Sequence, residues 1–70
     1  MIDWGIMNAL IKVLRNETEG VAGIFNGFTE TVIMEKWEVI KKDYAKFDKG
    51  KGVTLILEID NKPVDKHIVT

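Results

Sequence analysis

Not one of the 70 residues is a cysteine, so only noncovalent packing can hold this chain folded. With no disulfide and no thiolate metal site, so short a chain makes one domain at most, residues 1–70, near the lower limit of independent folding. At that size the gain from apolar burial and the loss of chain entropy nearly cancel. Yet 46% of the residues are hydrophobic, more than so small a monomer easily buries. Self-association is the simplest way to cover the remainder, and a homodimer is therefore expected.

Membrane and export readings find little support. The opening "MIDW" lacks a basic leader, and the apolar stretch Ile6 to Leu14 is interrupted by Asn8 and Lys12. It is also too short to span a bilayer. Gly23 and Gly27 have GxxxG spacing but lie in no apolar 20-mer. "NET" at 16–18 is a glycosylation sequon, which means little without a secretory signal. A cytoplasmic, cysteine-free domain with no membrane association is the expectation.

Hydrophobic spacing predicts a first helix capped by Asp3 and ending near Asn16. Ile6, Met7, Leu10, Ile11 and Leu14 recur at helical intervals, with Trp4 on the same half. "ETEG" then reads as a connection. From Gly20 to Met34, "GVAGIF", "NG" and "FTETVIM" form a hairpin pattern, with Asn26 and Gly27 suited to a type I′ turn. A helix starting at Thr29 and including Ile33 competes with that reading, and the sequence leaves both open. Trp37, Ile40, Tyr44 and Phe47 fall within about 80° of helical arc and predict a second helix, with Gly50 as its C′ residue. Finally "VTLILEID", "NKP" and "VDKHIVT" read as a second hairpin with Pro63 in its loop. Val53, Leu55, Leu57 and Ile59 share one face there, and Ile56 is an apolar exception on the other. The expected fold is α+β, two amphipathic helices packed on a small antiparallel sheet, in the order helix-hairpin-helix-hairpin.

The segment "KKDYAKFDKGKGVT", residues 41–54, carries the densest chemistry. It is not a phosphate-binding P-loop: Gly50 and Lys51 match, but Ala45 and Gly52 stand where glycine and hydroxyl are needed. The segment also follows a helix and opens a strand, the reverse of that motif. Six lysines between Lys36 and Gly52 outnumber Glu38, Asp43 and Asp48, so weak phosphate contacts through Lys41, Lys42, Lys46, Lys49 and Lys51 form one functional reading. Against it, the aromatics share one helix side while Lys42, Lys46 and Lys49 take the other, and the whole chain carries a net charge of −1.

Catalysis has less support. Serine, cysteine and glutamine are all absent, His67 is the only histidine, and no threonine has an evident base beside it. "DNKPVD" lacks the glycine and spacing of a calcium loop. No enzyme activity, cofactor or metal is expected. What remains is a protein-protein interaction module of the adaptor or inhibitor kind, whose partners are itself and an unidentified protein. Trp4, Phe25 and Phe28 are aromatic contact candidates. His67 and Val69 lie in "HIVT", a candidate edge strand open to pairing. A nucleic-acid binder is the second choice.

Overall fold

The computed structural model describes residues 6–16 and 18–69 and has the element order β-β-α-β-β. Strands β1 (Ile6–Arg15), β2 (Thr18–Thr29), β3 (Val53–Ile59) and β4 (Lys62–Val69) form one antiparallel sheet, and helix α1 spans Glu30–Phe47. The spatial order is β2-β1-β3-β4, so the first strand of each hairpin is central and the second is outer. The α+β class stands, but the expected pair of helices on a sheet does not: the described residues form one helix and four strands.

The first expected helix is strand β1. Seven of the nine residues from Ile6 to Leu14 are apolar, so the stretch satisfies a period of 3.6 and a period of 2 alike. Packing decides between them. Ala9, Ile11 and Val13 are buried on the helix-covered face, while Asn8, Leu10, Lys12 and Leu14 alternate onto the other. Pairing with β2 on one side and β3 on the other gives this strand hydrogen-bonding neighbours at both edges. Most of the expected "ETEG" connection is strand instead: Thr18, Glu19 and Gly20 pair with Arg15, Leu14 and Val13, and Asn16 takes φ 53°.

The hairpin expected at Asn26–Gly27 is likewise overturned. Residues 18–29 are one continuous strand, and the turn-forming dipeptide makes a bulge instead. Met7 pairs with Phe28 and Asn8 with Asn26, which leaves Gly27 as the extra residue, at φ 78°. Its N–H donates to Asn8 Oδ1 at 3.1 Å, so the amide freed from the ladder keeps a partner. The competing helix reading is the observed one: Thr29 is the N-cap of α1, and its hydroxyl accepts from the Val32 N–H at 3.5 Å.

At its other end α1 is capped by Asp48, whose N–H donates to the Tyr44 carbonyl at 2.8 Å. Gly50 does take the left-handed conformation, at φ 79°, but two residues beyond the cap rather than next to the helix. The second hairpin turns at Asp60–Asn61, with φ of 52° and 68°, as a two-residue type I′ turn requires. Pro63 therefore lies in β4 and not in the loop, where an outer strand tolerates its missing N–H.

α1 crosses one face of the sheet and reaches both outer strands as well as β1. Ile33 and Trp37 are fully buried there against Ile11, Val53, Leu55 and Leu57. Phe47, expected on the same arc, is 67% exposed because it ends the helix. The Trp37 indole N–H donates to Asp65 Oδ2 on β4 at 2.9 Å, satisfying the one polar atom that this ring carries into the core. Arg15 closes the opposite corner, its Nη2 lying 2.6 Å from Asp48 Oδ2.

Ile11→Ala should therefore cost about 2–5 kcal/mol, whereas Phe47→Ala should cost no more than about 0.5. Urea unfolding followed by circular dichroism measures both. Equal costs would mean that Phe47 packs in the core.

Candidate interaction surface

Among the described residues no element covers the second face of the sheet, and the register defines what that face carries. Leu14 pairs with Glu19 on one side and Thr54 on the other, and Thr54 pairs with Ile68. The next row is Val21, Lys12, Ile56 and Lys66; the one after is Ile24, Leu10, Glu58 and Pro63. Val21, Ile24 and Ile68 are 58%, 63% and 56% exposed, and Leu10, Leu14 and Ile56 are half-buried. Six large aliphatic side chains thus share a surface with no layer over it. Clustered exposure of this kind, unlike a scattered single Leu, marks a contact surface.

Charge on this face is ordered by strand. Lys12 Nζ on β1 lies 3.2 Å from Glu58 Oε2 on β3 and 3.6 Å from Glu19 Oε1 on β2. Bonding to Glu58, and then the charges of Glu58 and Glu19, raise the Lys12 pKa above its ordinary value, so it is a fixed cation. Lys66 on β4 supplies the second positive charge. Toward the far end a depression of about 400 Å³ lies between Leu10, Ile24, Glu58 and a polar corner. In that corner Asp60 donates its N–H to the Asn8 carbonyl at 2.8 Å and accepts from the Asn8 N–H at 3.3 Å.

The residues singled out from the sequence do not meet on one surface. Trp4 lies outside the described residues. Phe25 is half-buried against the core, and Phe28 is 39% exposed near the end of β2. Both rings lie 5.6 Å from Lys36 Nζ. His67 and Val69 belong to β4, at the opposite edge. Val69 pairs with Val53 in the core and is 2% exposed, and His67 is half-buried opposite Leu55.

The lysines are no closer to forming a site. Lys41 bonds to Glu38 and lies 5.4 Å from the Trp37 ring centroid. Lys46 covers Phe47, and Lys51 lies 3.7 Å from Asp48. Lys42 and Lys49 are exposed. Trp37 is fully buried, and Tyr44 is half-buried with the Arg15 guanidinium 5.7 Å from its ring. Neither ring can offer a free face to a base.

The uncovered sheet face was missed by sequence reasoning, except for Ile56, whose break in the alternation of β3 was its one signal. Among the described residues, no three His, Asp or Glu side chains are grouped to hold a metal ion. No helix among them is long and apolar enough to cross a membrane. Comparison with protein families, with curated proteins and with solved structures found no match.

Asp65 is the other titrating group whose surroundings matter. The Trp37 indole N–H and then the Lys66 backbone N–H hold its carboxyl below the ordinary value, against a smaller opposing effect of burial. A carboxyl held low in the folded chain takes up its proton more readily when unfolded. Its stabilisation is therefore complete above about pH 4 and is lost as pH falls through the lowered native value. Asp65→Asn should cost about 1 kcal/mol at pH 7, after allowing for solvent screening. That cost should shrink at pH 3. Urea midpoints of both proteins at the two pH values give the answer, and a gap independent of pH would count against this role.

Proposed function

We propose that this chain is a non-catalytic protein-protein interaction module. The observation that carries the reading is the aliphatic face formed by Leu10, Leu14, Val21, Ile24, Ile56 and Ile68, which α1 does not cover. Fully covering an exposed aliphatic side chain of this size is worth about 1.5–3 kcal/mol, so the uncovered parts of Val21, Ile24 and Ile68, with the smaller remainder on the half-buried Leu10, Leu14 and Ile56, represent an unused driving force. Binding by an uncovered sheet face needs no catalytic group, and a flat surface suits another protein surface better than a small substrate. Nucleic acid is placed second because Lys42 and Lys46 share the outer side of α1 with Glu35 and Glu38. Such an alternation of signs is the pattern of a solvated helix.

The test compares two immobilised baits, the native chain and Ile24→Asp/Ile68→Asp, in an extract of cells that produce the protein. Both positions are exposed, so the double variant should keep its helix content by circular dichroism. At least one protein should be retained by the native chain and lost, by about tenfold or more, from the variant. Retention indifferent to these substitutions, together with salt-sensitive binding to random oligonucleotides, would replace this reading with the lysine one.

A further inference from the structure

The uncovered face is patterned to receive its own copy. Its charges alternate strand by strand: Glu19 on β2, Lys12 on β1, Glu58 on β3 and Lys66 on β4. We propose that two chains pack sheet against sheet through this face, about a two-fold axis that runs along the strands between β1 and β3. The proposal rests on the interaction-module reading and names the partner as a second copy of the chain.

The argument for self-recognition is one of symmetry. A two-fold axis along the strands sets β2 over the partner's β4 and β1 over the partner's β3. Every acidic strand then meets a basic one: Glu19 faces the partner's Lys66, and Lys12 faces the partner's Glu58. Glu19 and Lys66 stand one cross-strand row apart, as do Lys12 and Glu58, gaps that long side chains bridge. An axis across the strands would instead lay β1 on β1 and β4 on β4, bringing lysine to lysine. Isologous pairing requires a self-complementary patch of this kind. With Lys12 and Lys66 against Glu19, Glu58 and the rim residue Asp60, the face also has no positive excess to attract a polyanion.

Area is adequate as well. Strands of ten, twelve, seven and eight residues, at about 3.3 Å by 4.8 Å per residue, present roughly 590 Å² of face per copy. Two such faces reach about 1,200 Å², the lower bound for a stable interface. Leu10 then lies one row from the partner's Ile56, and Val21 one row from the partner's Ile68, and these side chains fill the roughly 10 Å between the sheets. The net charge of −1 opposes association little.

Glu19 and Lys66 lie on opposite outer strands of one chain, two strands apart, so they can couple only across a dimer. This permits a decisive test by sedimentation equilibrium of the purified chain. The native protein should dimerise, and both Glu19→Lys and Lys66→Glu should weaken dimerisation by at least about tenfold, since each sets two like-charge contacts against each other. Mixing the two variants should restore association, because the heterodimer regains both complementary pairs. Both positions are exposed; helix content by circular dichroism confirms folding. Isotope-filtered NMR on mixed labelled and unlabelled native protein checks the contact directly, with intermolecular contacts expected between Leu10 and Ile56 methyls and between Val21 and Ile68 methyls. A native chain monomeric at about 1 mM, a dimer indifferent to either reversal, or a mixture that stays dissociated would overturn the proposal. If the native chain is monomeric yet the bait experiment still finds a partner dependent on this face, the module reading survives and only the self-pairing fails.

Discussion

An eighteen-residue helix can shield one side of a four-stranded sheet and no more, and the rest of this molecule follows from that mismatch. α1 concentrates Ile33 and Trp37 on the face where Ile11, Val53, Leu55 and Leu57 converge, and these residues reach zero exposure. Burying Trp37 brings an N–H donor into a dry layer. The carboxylate of Asp65 on the outer strand answers it and so ties the helix to β4. Arg15 and Asp48 make the corresponding tie between the end of β1 and the helix cap. Both fasteners join the helix to strands on the same side, and none reaches the other face.

Two kinds of surface result, with opposite physical character. The helix exterior is solvated, with Glu35, Glu38, Lys42 and Lys46 interspersed. The far side of the sheet is aliphatic and crossed by ordered charges. For a domain held by packing alone, an uncovered aliphatic face is lost stabilisation, and association recovers it. Under the proposed reading, recognition draws on the same apolar driving force that folds the other face.

How much of this was legible depends on whether one period or two fitted the residues. β3 was readable because Val53, Leu55, Leu57 and Ile59 alternate with Thr54 and Glu58, and only a strand satisfies that order. The helix body was readable from Trp37, Ile40, Tyr44 and Phe47, which recur at helical spacing, whereas the turn containing Ile33 was left open between hairpin and helix. β1 was not, because its apolar residues are too dense to distinguish a helix from a strand; hydrogen bonds to β2 and β3 decide, and β3 is distant in sequence. Asn26–Gly27 did signal positive φ, but a turn and a bulge draw on the same backbone freedom. The open face depends on register between four strands, so a single segment such as "TLILE" could show only one of its columns.

The irregular residues of the sheet are all on its rim. Ala22 and Gly27 on β2 and Val64 on β4 are each the unpaired extra residue of a bulge, whereas β1 and β3 carry none. Each outer strand is thereby bent and overtwisted, and Pro63 removes a further donor from β4. A rim of this shape is a poor template for an incoming strand, so the sheet resists polymerising sideways into fibrils. Under the proposed pairing, growth is perpendicular to the sheet instead, and stacking about a two-fold stops at two copies.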